Sequence, residues 1–172
     1  SDRLEFVGTA RKWFTIQDML DILDRRYGTG KIGGKAAGIE LAKKMIQSDR
    51  QLASEIRTPE SYFIATDVFD QFKAANKLTW VMNQKYRPVD EIKELYSRIR
   101  SGFDNGSLPA DITQDLHTLL QKHKGQPIIV RSSSLLEDSY GTSFAGKYDS
   151  YFCANQASIT ENLDSLSKAI SK

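Results

Sequence analysis

The residues with the clearest chemical potential lie in one stretch, Ile128–Gly146, which reads IIVRSSSLLEDSYGTSFAG. A run of aliphatic residues ends at Arg131, and hydroxyl, acidic and small residues follow. A buried strand that ends in an arginine delivers a planar guanidinium, which can pair two phosphate oxygens. The stretch therefore predicts an anion site, although Arg131 in a surface salt bridge beside an ordinary polar loop remains the alternative.

A second segment, Gly33-Gly-Lys35, lies about a hundred residues before Arg131 in the chain. A helical pattern follows it directly. Glycines let backbone N–H groups approach a ligand closely, and a helix N-terminus favours an anion. Lys35 can add a point charge to such a site. The alternative is a tight turn into a helix, with Lys35 in solvent.

Three familiar glycine motifs are set aside. Gly28–Gly33 fits the letters GxGxxG, but a dinucleotide fingerprint follows a strand, and here we expect a helix before it. A kinase glycine loop needs strands on both sides. A Walker A loop fails because Thr29 replaces its first glycine and Ala36 follows the lysine.

The elements that position these segments can be predicted from caps and apolar spacing. Thr15 and Asp18 form a capping box that opens a helix, which we expect to end near Tyr27 because glycines follow. A second helix is predicted over 36–46. A short strand is predicted over 61–65, after which Thr66 or Asp67 caps the next helix.

The rest of the chain predicts helices and one strand pair. Residues 67–124 are mostly helical in pattern, with a turn at 104–107. Strands are predicted at 128–131 and 147–153, joined by a loop over 141–146 that we expect to act as a flap. A last helix follows Ser158.

Composition narrows the class of protein. A net charge of +2 gives no case for nucleic acid binding, and no apolar run is long enough to span a bilayer. The single cysteine, Cys153, cannot form an internal disulfide, and we expect a cytoplasmic protein. His117 and His123 are six residues apart and so lie on different helix faces, which argues against a shared metal site.

The two chemical segments and the strand between them resemble the N-terminal ATP-binding domain of the phosphoenolpyruvate synthase and pyruvate phosphate dikinase family. Members carry GGKxAxL, then a PxGFV strand that ends in a hydroxyl residue and Thr, then a VRSS segment that continues through ED and SFAG to Tyr. The matches lie at Gly33, at Pro59–Thr66 and at Val130–Tyr151. Ser61 departs from the usual glycine of the strand entrance, and Lys147-Tyr148 stands where the synthases usually have Gln-Gln.

This resemblance covers roughly residues 28–172 and implies an α+β fold. The family fold is an ATP-grasp-like lobe, for which we expect a small, mainly antiparallel sheet with several flanking helices. Residues 1–172 would form a single domain, the first lobe of the nucleotide-binding region. The second lobe, the phosphohistidine domain and the pyruvate-binding domain would be absent.

The resemblance also implies a set of site residues. Two cations would contact the ATP phosphates, and a loop would close over them. No metal ligand is expected here, since Mg²⁺ would be held by acids of the missing lobe. The predicted phosphate-binding residues are Lys35, Arg131, Ser132, Thr142, Ser143 and Gly146, with Gly33, Gly34, Glu137 and Asp138 in support.

The implied activity is that of a larger enzyme. It would use ATP and Mg²⁺ to phosphorylate its own histidine and pass the phosphoryl group to pyruvate, which forms phosphoenolpyruvate. Pyruvate would bind through the absent domains, a homo-oligomer is compatible with the sequence, and we expect no turnover from these 172 residues alone. The alternatives are a dikinase with an antibiotic or a glucan as acceptor, and a non-catalytic module that senses adenine nucleotides.

Overall fold

The computed structural model describes residues 4–133 and 149–172. Within these ranges the chain forms eight α-helices, one 3₁₀ helix and four short strands. The described part is therefore mostly helical. Its strands form two separate two-stranded sheets, one parallel and one antiparallel, and this corrects the expectation of one mainly antiparallel sheet. None of the described helices is long and apolar enough to cross a membrane.

The elements follow one another along the chain with short connections. The α-helices are α1 (Leu4–Trp13), α2 (Ile16–Asp24), α3 (Gly34–Ser48), α4 (Arg50–Glu55), α5 (Thr66–Ala75), α6 (Val89–Asp104), α7 (Ala110–Lys122) and α8 (Ile159–Ser171). A 3₁₀ helix spans Thr79–Tyr86. The strands are β1 (Arg26–Tyr27), β2 (Phe63–Ile64), β3 (Ile128–Arg131) and β4 (Ser150–Cys153).

The described residues divide into two compact units, and the first comprises residues 4–67 with Ser132 and Ser133. Its sheet pairs β1 with β2 in parallel, and α3 and α4 lie between the two strands in sequence. Phe63 and Ala65 are buried, as is Ala37 of α3. A strand, a glycine loop and a helix thus succeed one another in this unit.

The end of α2 differs from the prediction. The helix ends at Asp24, and Arg26–Tyr27 form β1 instead of a last helical turn. The carbonyl of Arg25 accepts a hydrogen bond from Phe63 N–H, and that of Tyr27 accepts one from Ala65 N–H, both at 2.9 Å. Pairing with β2 therefore takes these carbonyls out of the helix, a case of tertiary contacts overriding local pattern.

The second unit comprises Val68–Arg131 and Asp149–Lys172. Strands β3 and β4 pair antiparallel, with Arg131 opposite Ser150, which confirms the predicted strand pair. Strand β3 is not buried as predicted, because its residues alternate and Ile129 is 46% exposed. The four most deeply buried large side chains are Ile112, Leu116, Leu120 and Leu166, so this core lies between α7 and α8.

Other sequence predictions are confirmed by cap geometry. Thr15 accepts a hydrogen bond from the Asp18 N–H, while the Asp18 side chain accepts one from the Thr15 N–H, so both halves of the capping box are present. Ser158 and Glu161 form a second capping box at the start of α8. Helix α3 includes the predicted span and extends it to Gly34–Ser48.

Candidate functional site

The loop after β1 is held by one carboxylate. Asp67 Oδ2 accepts hydrogen bonds from the Thr29 N–H at 2.8 Å and the Thr29 hydroxyl at 2.9 Å, and its Oδ1 accepts one from the Gly30 N–H at 2.8 Å. Thr66 Oγ1 accepts a further bond from the Lys31 N–H at 3.2 Å. The loop amides are therefore paired with the first turn of α5.

The charge of Asp67 is stabilised by these bonds. The N–H of Thr29 contributes most, followed by the N–H of Gly30 and the Thr29 hydroxyl, and together they lower the pKa of Asp67 to about 2 from 3.8. A Cβ at Gly30 would lie 2.7 Å from Asp67 Oδ1 and 2.8 Å from Thr66 Oγ1, so only glycine fits there. Two consecutive peptide N–H groups and one hydroxyl therefore bind an anion, and that anion is a side chain of the protein itself.

This geometry corrects the argument against the GxGxxG letters. A strand, β1, does precede Gly28, so a preceding helix is not the reason to reject a dinucleotide loop. The helix, however, begins at Gly34, after the last glycine of the motif. The N–H groups of Thr29 and Gly30 also donate hydrogen bonds to the Asp67 carboxylate. A dinucleotide loop needs a backbone that approaches a pyrophosphate, and here a carboxylate occupies that place.

The N-terminus of α3 brings the two predicted motifs together. Gly33 is the N-cap and supplies no side-chain cap, and the Ser133 hydroxyl accepts a hydrogen bond from the Ala36 N–H at 3.0 Å. Gly33 has no side chain to cap the helix, and Ser133 of the arginine–serine segment provides this cap instead. A Cβ at Gly33 would overlap the Ser133 carbonyl oxygen. The glycine is required by this close approach, not by its φ of −70°.

The two predicted cations occupy defined places. Lys35 is the second residue of α3, and it is partly buried. Arg131 ends β3 in the second unit, and its side chain is exposed. Ser132 and Ser133 follow it directly and are partly buried. The remaining predicted site residues lie outside the described residues: Glu137, Asp138, Thr142, Ser143 and Gly146.

Comparison with known protein families gives a match over most of the chain. Residues 29–171 match the family described as pyruvate phosphate dikinase, AMP/ATP-binding domain. The chain belongs to this family. The match includes Gly33, Lys35, Arg131 and Ser133, so the segments with phosphate-binding chemistry lie inside the AMP/ATP-binding domain. Searches of curated proteins and of solved structures find no significant match.

Membership of an AMP/ATP-binding family makes ATP the implied ligand of this domain. The positive end of the α3 helix dipole favours phosphate at this N-terminus. Lys35, the second residue of the helix, supplies a positive charge there. The local chemistry therefore fits a polyphosphate.

Two arginines near this site were missed by sequence reasoning. Arg25 pairs with Glu40 through Nη2–Oε2 at 2.8 Å and Nη1–Oε1 at 3.4 Å, and its Nη1 also donates to the Ser61 carbonyl at 2.7 Å. The hydrogen bonds to Glu40 raise the pKa of Arg25 further. Glu40 is buried, so this pair ties the end of α2 to α3. The sequence signal that could have revealed this pair is Glu40, a carboxylate among the buried residues of α3.

The second arginine, Arg26, lies on β1. Its Nη1 donates to the carbonyl of Gly30 at 2.9 Å. Since the N–H of Gly30 is bound by Asp67, the backbone N–H and C=O of this glycine are held by side chains of opposite charge. Among the described residues, Arg26 Nε is buried without a hydrogen-bond partner.

His123 and Cys153 make contacts that belong to the fold of the second unit. His123 Nδ1 lies 3.2 Å from Gln126 Oε1, and the His123 carbonyl accepts a bond from Asn155 Nδ2 at 2.7 Å. Cys153 is a buried thiol on β4, opposite Ile128. Within residues 4–133 and 149–172 no group of three His, Cys, Asp or Glu side chains is placed to hold a metal ion.

One cavity of the first unit lies away from the residues predicted to bind phosphate. It has a volume of about 400 Å³ beside α2 and α3, and acids and bases line most of it. Lys44 binds Asp18 there at 2.6 Å and, with Thr15, lowers the pKa of Asp18 to about 2. Because neither Lys35 nor a glycine of positions 28–34 lines this cavity, we do not assign the nucleotide to it.

Proposed function

We propose that this chain binds the phosphates of ATP at the N-terminus of α3. The observation that carries the proposal is the hydrogen bond between Ser133 Oγ and the Ala36 N–H, which brings the arginine–serine segment to the Gly33-Gly-Lys35 helix start. Two segments that the family resemblance assigns to ATP are thus in contact. Lys35 supplies a point charge beside them.

Arg131 completes the proposed set of cations. A guanidinium binds two phosphate oxygens at once, which a lysine cannot do. Its exposure at the end of β3 leaves the guanidinium accessible to a ligand. Ser132, Thr142, Ser143 and Gly146 are assigned to the phosphates, and Glu137 and Asp138 to their support, on the family resemblance alone.

We further propose that the ATP serves phosphoryl transfer to an enzyme histidine and then to pyruvate. Phosphoryl transfer depends mainly on positioning and on neutralising charge on the transferred group, and this chain would supply fixed cations and helix N–H groups. Mg²⁺ would supply further charge neutralisation, with ligands in a second lobe. The family description, which names pyruvate phosphate dikinase, supports pyruvate as the acceptor.

In architecture, we propose that the chain is the first lobe of an ATP-grasp-like nucleotide-binding region. The antiparallel β3–β4 pair supports this, because its two strands flank in sequence the Thr142–Gly146 loop that the resemblance places over the phosphates. The histidine and pyruvate sites would lie in other domains of the parent enzyme.

The reaction can be tested by product analysis of the full-length enzyme. ATP, pyruvate and water should give AMP, phosphoenolpyruvate and phosphate, so AMP should form only when pyruvate is present. AMP formation that depends on a glucan or an antibiotic would transfer the proposal to that acceptor. Release of ADP as the product, or tight ATP binding with no AMP from any acceptor, would contradict a dikinase.

A further inference from the structure

The Asp67 carboxylate fixes the loop that leads into the proposed ATP site. Its two oxygens accept three hydrogen bonds of 2.8 to 2.9 Å from Thr29 and Gly30. Beside it, Thr66 accepts from the Lys31 N–H, and the Thr66 N–H donates to the Lys31 carbonyl at 3.0 Å. Three successive loop residues are therefore bound to the start of α5.

The position of this clamp relative to Lys35 gives it functional weight. Ile32 alone separates the clamped Lys31 from Gly33, where the Ser133 carbonyl leaves no space for a Cβ. The segment is thus held at both ends, and Lys35 lies two residues beyond. A change in the clamp would shift or loosen the start of α3, and with it the N–H groups of its first turn.

The nature of the bonds makes Asp67 a fixed anchor. Hydrogen bonds to an ionised carboxylate are about twice as strong as neutral ones. The pKa of about 2 keeps the group ionised at every pH at which ATP binding would be measured. The loop amides therefore have a permanent partner, and they orient the segment instead of contacting a ligand.

We propose that Asp67 is a positioning residue for ATP: it sets the Gly28–Gly34 loop so that Lys35 and the α3 N-terminus meet the phosphates. This inference rests on the function proposed above. Nothing in the sequence pattern or the family resemblance assigns Asp67 such a role. Because Asp67 would act on ATP through the position of Lys35, its contribution to ATP affinity should depend on Lys35.

A double-mutant cycle in the full-length protein tests this dependence. Asp67→Asn keeps the shape but removes the charge and one acceptor, so Mg-ATP affinity measured by calorimetry should fall about tenfold. In the Lys35→Ala background, Asp67→Asn should cause little further loss, because the two residues act on the same contact. The control is Asp90→Asn, whose carboxylate is 93% exposed and should leave the affinity unchanged.

Each outcome decides between positioning and simple folding. If Asp67→Asn leaves the affinity unchanged while Lys35→Ala weakens binding, the inference is overturned but the proposed function stands. The same conclusion follows if the losses of the two single variants add fully in the double variant. Affinity unchanged in Lys35→Ala overturns the proposed function and the inference with it. All affinities are measured at a temperature at which circular dichroism shows each variant folded.

A milder pair of variants covers the case in which Asp67→Asn does not fold. Thr29→Val removes the hydroxyl that donates to Asp67 Oδ2 but keeps the backbone N–H bond. It should lower the affinity about threefold, and Thr29→Ser, which retains a hydroxyl, should restore it. Equal affinities in Thr29→Val and the wild type would overturn the inference.

Discussion

Gly33 is the residue at which the two segments proposed to bind phosphate meet. Its backbone has an ordinary φ of −70°, so a larger residue would meet no conformational strain there. The constraint is steric, because a Cβ would overlap the carbonyl oxygen and approach the hydroxyl of Ser133. A backbone carbonyl cannot rotate away as a flexible side chain can.

This steric constraint gives a prediction with a matched control. Gly33→Ala should lower the free energy of unfolding by about 1–3 kcal/mol, the usual cost of overpacking, and should weaken ATP binding. Gly38→Ala lies in the same helix with nothing within 4 Å of the added Cβ, so it should stabilise the protein by about 0.5–1 kcal/mol. Urea unfolding of both variants checks this. Equal stabilities would show that Gly33 and Ser133 are not in close contact.

At this scale the sequence predicted residue types better than partners. Lys35, Arg131 and Ser132 could be selected because a cation or hydroxyl beside small residues is characteristic of phosphate chemistry, and their role at the phosphates stays a prediction. The sequence did not indicate the positioning role proposed for Asp67, because the N–H groups that donate hydrogen bonds to it lie 37 and 38 residues earlier. Nothing local in the sequence pairs a carboxylate with a particular loop.

Among the elements, helices were predicted well and strands less so. Caps and apolar spacing are local signals, and they gave α3, α7 and α8 and the Thr15–Asp18 capping box correctly. Strand β1 was missed because it is two residues long and exists only through its pairing with β2. The same long-range pairing explains why the parallel sheet was not predicted.

The Arg25–Glu40 pair joins two of these elements, and its burial predicts its weight. Glu40→Ala would leave the guanidinium, only 17% exposed, without its carboxylate, so we expect a loss of about 3 kcal/mol in the free energy of unfolding. The control is Asp164→Ala. Its bond to Lys168 has the same length of 2.8 Å, but both side chains are more than 60% exposed. That variant should lose about 0.5 kcal/mol or less. Similar losses in the two variants would contradict a buried tie between α2 and α3.

For the whole molecule, the family match spans both compact units, from residue 29 to residue 171. The sequence resemblance indicated nearly the same span, because its three segments are specific in type and order. The division of the described residues between two units could not be predicted in this way. It depends on which helices share a core, as α7 and α8 do through Leu120 and Leu166.

In the proposed site, Lys35 and Arg131 hold the phosphates of ATP. Calorimetric titration of the full-length protein with Mg-ATP tests it most directly, with Lys35→Ala and Arg131→Ala beside exposed controls, Lys93→Ala and Arg100→Ala, whose side chains are 73% and 68% exposed. Loss of a charge-assisted contact should weaken binding about tenfold or more in each site variant and leave both controls at the wild-type affinity. Wild-type affinity in Lys35→Ala and Arg131→Ala would show that these two residues do not hold the phosphates of ATP.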